Sequence, residues 1–168
     1  FRQVEFDNYF LNDVEIEGVR RYEVVDLEEG VGKTVQITLE NGKMTYPDGS
    51  FSTKSKSITK YLTYNEEKRV STSVTGNANG VNSDGNAYEM EITSPIVFTA
   101  ACAKELMHKK GKIPVSGVKR IVKGESEMTI NYGDGECDFI AEITKDGVTE
   151  TIDLKEIKRK RKFRKLKS

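Results

Sequence analysis

The chain has 168 residues, the size of one ordinary domain, and 36% of them are apolar while 32% are charged. A membrane-spanning helix is excluded because no run of about eighteen apolar residues occurs, and regularly placed aromatic and β-branched residues argue against disorder. Residues 155–168 hold nine Lys or Arg and one Glu, which leaves 18 basic and 26 acidic residues in 1–154. We therefore predict one β domain over 1–154, followed by a basic C-terminal tail or final strand over 155–168.

Short alternating segments separated by Asx-Gly pairs dominate the chain. Residues 35–39 and 128–132 alternate with the period of two that is typical of strands. Asx-Gly pairs suit the positive φ angles of tight hairpin turns. The sequence thus predicts an all-β fold, an antiparallel meander of about ten strands that forms a barrel or a sandwich. The five pairs are Asn41-Gly42, Asp48-Gly49, Asp84-Gly85, Asp134-Gly135 and Asp146-Gly147.

Residues 30–34, with the sequence GVGKT, share the Gly-Lys-Thr of a phosphate-binding loop. That motif needs a glycine five residues before the Gly-Lys-Thr, where this chain has Leu27. It also needs a helix after the loop, so that amide groups face the phosphates. Because a strand is predicted to follow, we interpret 30–34 as a hairpin loop.

Residues 51–64 are predicted to form a long strand with two different faces. Hydroxyl side chains alternate with lysines such as Lys54 and Lys56, so that one face is rich in hydroxyl groups and the other is basic, becoming apolar only toward its end. Such a strand is typical of a sheet edge, or of a sheet with one fully hydrated face. Alternation also predicts a core. Its members are Val35, Ile37, Leu39, Ile92, Val118, Ile130, Ile140, Ile143 and Leu154.

A helix of one or two turns is predicted over residues 100–110, ended by Gly111 and Pro114. This segment holds His108, the only histidine, which has basic neighbours and is interpreted as a surface residue. One His and two distant Cys do not supply a zinc site. Loops rich in side-chain oxygens near residues 82–86 and 134–138 match no EF-hand and are explained by turn chemistry, with calcium binding kept as a minor alternative. We therefore expect no metal and no cofactor.

Carboxylate pairs at positions i and i+2 recur along the chain. On a strand this spacing places both groups on one face, and a glycosidase needs two carboxyl groups about 5 to 10 Å apart. With 26 acidic residues in 1–154, however, such pairs are expected from composition alone. No catalytic residue is assigned, and a glycan hydrolase is kept as the alternative function. The pairs are Glu15/Glu17, Glu89/Glu91, Glu125/Glu127 and Glu136/Asp138.

Cys102 and Cys137 are the only cysteines. Two buried thiols are typical of a cytosolic protein, whereas one disulfide is typical of an exported one. The chain begins with Phe1 rather than Met, so it has been trimmed, either by a signal peptidase or in preparation. We favour a disulfide on the condition that the protein is exported.

The basic segment 158–167 is of a kind that binds nucleic acid, anionic lipid or acidic polysaccharide. A third alternative is that this segment packs as a final arm or strand against the acidic body. The body has no recognition helix, stacking motif or zinc finger, and its negative charge would repel a phosphate backbone. We therefore expect no nucleic acid partner.

Several segments together resemble a family of uncharacterised exported lipoproteins of Bacteroidetes-type bacteria. The most specific segment is Tyr-Gly-Asp-Gly-x-Cys-Asp at 132–138, and the similarity extends over nearly the whole chain, including both cysteine positions. The resemblance implies a β-rich fold and an extracytoplasmic location, in the periplasm or as an outer-membrane lipoprotein. It implies membrane attachment only through a lipid anchor upstream of Phe1. It implies no activity and therefore no site residues.

Two functions from different classes remain. The first is a non-catalytic envelope module that binds a glycan, an envelope polymer or an envelope protein, or that is purely structural. Its weak ligand-binding candidates are tyrosines that would line an aromatic groove together with Phe51. The second is the glycan hydrolase. The tyrosine candidates are Tyr46, Tyr61, Tyr64 and Tyr88.

Overall fold

The computed structural model describes residues 1–66, 68–105 and 113–156. Ten strands form one antiparallel sheet in which each strand pairs with the next along the chain, so the predicted all-β meander is confirmed. The first and last strands are not paired with each other, and the barrel alternative does not hold. The elements are β1 (Arg2–Leu11), β2 (Val14–Glu28), β3 (Gly32–Thr45), β4 (Phe51–Asn65), β5 (Lys68–Val81), β6 (Ala87–Thr99), α1 (Ala100–Glu105), β7 (Ser116–Lys123), β8 (Ser126–Asp134), β9 (Ile140–Lys145) and β10 (Val148–Asp153).

Most of the predicted Asx-Gly pairs lie at strand ends. Asp146 and Gly147 have φ angles of 48° and 85° and form the turn between β9 and β10. Asn41-Gly42 was predicted as a turn, and that prediction is wrong, because the pair lies inside β3. There the register shifts between Leu39 and Gly42, which marks a β-bulge. Asn41 has a φ of 50° at this bulge, so a residue that suits the positive φ of a hairpin turn also suits this position.

Two further local predictions are met by the described residues. Gly30 lies in a turn and β3 begins at Gly32. Residues 30–34 therefore lead into a strand and form the hairpin loop that the sequence predicts. The predicted helix is present as α1 over Ala100–Glu105. The rest of that prediction, with His108, lies outside the described residues, as do residues 157–168 of the basic tail.

Strand β4 occupies the middle of the sheet. It is paired with β3 on one side and with β5 on the other, so the first of the two predicted alternatives, a place at the sheet edge, does not hold. The lysines of β4 instead share a face with the apolar residues of β3, since Lys56 pairs with Leu39 and Lys60 with Val35.

The two faces of the sheet can be followed from strand to strand, because directly paired residues of antiparallel strands lie on the same face. Val35 pairs with Lys60, Lys60 with Val74, and Val74 with Ile96. In the described strands, the buried residues that carry a side chain all lie on this face, which we call the inner face; the opposite one is the outer face. These residues are Val35, Ile37, Thr72, Ala78, Ile96 and Ala141.

Bulges interrupt the strands at several positions and bend the sheet. One lies between Val74 and Gly76 in the pairing of β5 with β6. Gly76 has a φ of 127°, and a Cβ atom there would lie 2.1 Å from the carbonyl oxygen of Ser57. Only glycine fits this close approach of β5 to β4.

A small apolar core lies at one end of the sheet, next to α1. It is held by the disulfide between Cys102 and Cys137, whose Cα atoms are 5.2 Å apart, and this pairing confirms the prediction. Of the predicted core residues, Val35 and Ile37 are buried, and the other seven are half-buried. The core cluster was not predicted from alternation and consists of Cys102, Ile113, Val115 and Phe139, with Val97, Cys137 and Leu154 packed against it.

Candidate functional site

Acidic side chains are concentrated on the outer face. From β2 to β9, every Asp and Glu in a described strand lies on this face by register. The ion pairs within the described residues lie there too, and each joins an outer-face cation to an outer-face carboxylate. They are Arg21–Glu40 at 2.8 Å, Lys43–Glu17 at 3.0 Å and Arg120–Glu127 at 2.6 Å.

The inner face carries the opposite charge. Its strands from β2 to β9 contribute basic side chains and, within the described residues, no carboxylate. Over β2–β9 the carboxylates are therefore confined to the outer face, which also carries cations such as Arg21, Lys43 and Arg120, whereas on β10 Glu150 lies on the inner face. The inner-face basic residues are Arg20, Lys33, Lys54, Lys56, Lys60, Arg69, Lys119, Lys123 and Lys145.

Four of these cations form what we call the cation cluster: Arg20 on β2, Lys54 and Lys56 on β4, and Lys119 on β7. Burial lowers the pKa of Lys56, and the charges of Lys54, Arg20 and Lys60 lower it further. Burial also lowers the pKa of Lys119, with a smaller contribution from Lys54. The cluster members have no hydrogen-bond or ion-pair partner in the described part of the chain.

Small residues of β5 lie next to the lysines of β4 on the inner face. Opposite Lys54 and Lys56, β5 presents only Gly80 and Ala78. The side chains of the two lysines are therefore not covered from this side. Beyond β5, the apolar residues of β6 separate β5 from Lys119 on β7, and the charge of Lys54 makes only the smaller contribution to the lowered pKa of Lys119.

Beside the cation cluster, β1–β3 expose large apolar side chains on the inner face. Tyr22 is 37% exposed, Val24 44% and Leu27 68%. In a soluble domain a contiguous group of exposed apolar side chains marks a surface that meets a ligand or partner. We call this group the apolar patch; it consists of Val4, Tyr9, Leu11, Tyr22, Val24, Leu27 and Met44.

The predicted tyrosines do not share one groove. Tyr61 lies on the outer face, whereas Tyr64 and Tyr88 lie on the inner face, and Tyr46 lies in the turn after β3. Phe51 is on the outer face as well. Burial raises the pKa of Tyr88. A ligand-binding role for these tyrosines stays a prediction, but the aromatic groove that motivated it is not assembled.

One predicted carboxylate pair borders a shallow outer-face depression of about 350 Å³. Glu89 and Glu91 lie there beside Arg120, whose pKa is raised mainly by its hydrogen bond to Glu127 and to a smaller extent by the charges of Glu91 and Glu89. In another predicted pair, a hydrogen bond from Arg120 lowers the pKa of Glu127, which is the direction opposite to that needed by a general acid. Glu17 of a third pair is bound to Lys43. The structure therefore adds no support for the hydrolase, which stays a prediction.

The oxygen-rich loops are held by their own turn hydrogen bonds. Asn82 Oδ1 accepts from the backbone N–H groups of Asp84 and Asn86 at 3.1 and 2.9 Å. Asp134 Oδ1 accepts from the N–H of Glu136 at 3.3 Å. Among the described residues, no group of three His, Cys, Asp or Glu side chains is placed to hold a metal ion.

The inner-face surface was not predicted from the sequence as a site, although its signal was present. The alternation of lysine and hydroxyl side chains in 51–64 predicts a sheet edge or a sheet with one hydrated face, and neither alternative points to a binding site. The missing information was the register, which places these lysines beside Arg20 and the apolar side chains of β1–β3.

The disulfide is typical of proteins that fold in an oxidising compartment outside the cytoplasm. In the part of the chain that the structure describes, no helix is both long enough and apolar enough to cross a membrane. No family model, curated protein or solved structure matches this chain.

Proposed function

We propose that this protein is a non-catalytic binding module of the bacterial cell envelope, and that its ligand binds on the inner face of the sheet. One observation carries the proposal: the inner face combines the apolar patch with the cation cluster, while the carboxylates of β2–β9 lie on the other side. Lys56 and Lys119 of the cluster are half-buried and have no ion-pair partner among the described residues, which costs free energy in the unliganded protein. A ligand that neutralises them would recover that cost.

An envelope location is supported by the disulfide and by the resemblance to exported lipoproteins. In this proposal a lipid anchor upstream of Phe1 attaches the domain to a membrane. The partner is then a molecule of the envelope, and the classes to be tested are glycans, acidic polymers, envelope proteins and amphiphiles.

A thermal-shift screen of the purified protein against these classes tests the proposal. A ligand present at a hundred times its Kd stabilises the folded state by about 2.7 kcal/mol, enough to raise the Tm by several degrees. The site is then located with two variants, Val24→Asp on the inner face and Phe51→Asp on the outer face. These side chains are similarly exposed, at 44% and 49%.

We expect Val24→Asp to abolish the shift and Phe51→Asp to leave it unchanged. The opposite result would place the ligand on the outer face and would overturn the proposal. Release of sugar from a glycan during the same screen would instead favour the hydrolase.

A further inference from the structure

We propose that the inner-face ligand is an anionic lipid, whose acyl chain lies on the apolar patch and whose phosphate or carboxylate head group is bound by the cation cluster. This inference rests on the proposed function and specifies the chemistry of its ligand. It requires two properties of the inner face, a cationic centre and an apolar surface that is continuous with it.

The cationic centre is assembled from three strands. Register places Arg20 of β2 across Leu39 from Lys56 of β4. Lys54 follows Lys56 on the same face and interacts with Lys119 of β7. An anion seated between these groups would relieve their mutual repulsion and would accept charge-assisted hydrogen bonds, with the Arg20 guanidinium able to bind two oxygens at once.

The apolar surface continues directly from this centre. Arg20, Tyr22 and Val24 alternate along β2 and therefore point to the same face, with neighbouring side chains about 7 Å apart. Val4 on β1 pairs with Arg20 on the side away from β3. A chain that leaves the head group along β2 thus meets Tyr22, Val24 and then Leu27.

Other occupants of this face fit less well. A second copy of the chain, packed inner face to inner face, would bring the two cation clusters together. The tail over residues 157–168 holds eight Lys or Arg and no acid, so its charge has the same sign as the cluster. An acidic polysaccharide would match the cations but would leave Tyr22, Val24 and Leu27 exposed. An amphiphile satisfies both halves of the surface.

Isothermal titration calorimetry with soluble short-chain lipids tests the inference. The probes are dihexanoyl phosphatidic acid, dihexanoyl phosphatidylcholine with the same chains and no net charge, inorganic phosphate, and alginate. We expect phosphatidic acid to bind at least about tenfold more tightly than phosphatidylcholine, since tenfold corresponds to roughly one charged hydrogen bond. Phosphate alone should show no measurable binding, because it lacks the acyl chains.

Two pairs of variants assign the effect to the residues. Lys56→Gln and its control Lys43→Gln each remove one positive charge, on the inner and outer face respectively. Lys56→Gln should weaken phosphatidic acid about tenfold while Lys43→Gln leaves it unchanged. Leu27→Asp, at an exposed position that tolerates a charge in the folded state, should weaken both lipids, whereas Phe51→Asp should weaken neither.

The outcomes separate this inference from the proposed function. Equal binding of both lipids, with no effect of Lys56→Gln, would overturn the claim that the ligand has an anionic head group. In that case, loss of binding in Leu27→Asp would still support a site on the inner face. Tighter binding of alginate than of phosphatidic acid would overturn the claim that the ligand is a lipid. Binding of phosphatidic acid that survives both inner-face variants would overturn the inference and the proposed function together.

Discussion

The two ends of the sheet differ in how far their apolar side chains are buried. At the disulfide end, Ile113, Val115 and Phe139 are at most 5% exposed and pack around Cys102. At the β1–β3 end, apolar side chains of similar size are between 37% and 68% exposed on the inner face. The first region stabilises the fold through burial, whereas the second leaves its apolar surface available to a ligand.

The lengths of the connections explain this difference. Between β6 and β7 the described residues include α1 and residues 113–115, and between β8 and β9 a loop carries Cys137. Cys102, Ile113, Val115 and Phe139 from these two connections form the core cluster. By contrast, β1 and β2 are joined by a tight turn at Asn12 and Asp13, both with positive φ. A turn this short contains no residue that could cover the inner face of β1–β3.

Removing the disulfide should have the largest effect on stability. It closes a loop of 35 residues between Cys102 and Cys137, which contributes about 4 kcal/mol in the chain-entropy model. The double variant Cys102→Ala/Cys137→Ala should therefore lose about that much free energy of unfolding, measured by urea denaturation. Wild-type protein treated with a reducing agent is the control and should unfold at the same urea concentration. A loss below about 1 kcal/mol would show that the core cluster remains folded without the disulfide.

Phe139→Ala should have the next largest effect. Phe139 is 2% exposed, packs in the core cluster and lies under Lys155, whose Nζ is 4.5 Å from the ring centroid. Truncation leaves a cavity and should cost about 3 kcal/mol, at the low end for Phe→Ala because the site borders loops that can collapse. Phe51→Ala at a 49% exposed position is the matched control and should change stability much less. Equal effects of the two variants would mean that the disulfide end is no more stabilising than the open surface.

The fold was predictable from the sequence because alternation and turn chemistry are local. Asp48-Gly49 and Asp146-Gly147 mark hairpins through their backbone preferences alone. The alternation of residues 35–39 also identified Val35 and Ile37 as buried. Most of the cluster around Phe139 was not predicted, because Ile113, Val115 and Phe139 lie outside the strands and show no periodicity.

The site was harder to predict, since it depends on contacts between distant strands. Arg20, Lys56 and Lys119 are far apart in sequence, and only the register of the strands places them on the same face of the sheet. The tyrosine groove was predicted from residue type alone, without regard to the face of the sheet to which each tyrosine points. Tyr61 and Tyr64 are three residues apart on one strand and therefore point to opposite faces.

Lys56→Met should stabilise the protein while it weakens ligand binding. Burial and neighbouring cations lower the pKa of Lys56, so its charged form is disfavoured in the folded state. An apolar side chain of similar length removes that cost, and because solvent screens the charge of this half-buried lysine, the gain in the free energy of unfolding should be only about 0.5 kcal/mol. Lys43→Met on the outer face breaks its ion pair with Glu17 and should bring no such gain. A destabilised Lys56→Met would mean that the cation cluster serves the fold rather than a ligand.

The smallest effect on the free energy of unfolding is expected for the outer-face ion pairs. Lys43 and Glu17 lie 3.0 Å apart with both side chains at least 40% exposed, so solvent and salt screen their attraction. A double-mutant cycle with Lys43→Gln and Glu17→Gln should give a coupling of about 0.5 kcal/mol or less, vanishing in 1 M salt. A coupling above about 1 kcal/mol would make the outer face a stabilising element in its own right. A small value would mean that pairing on the outer face adds little to stability, so the segregation of charge between the faces would have to be explained by what the inner face binds.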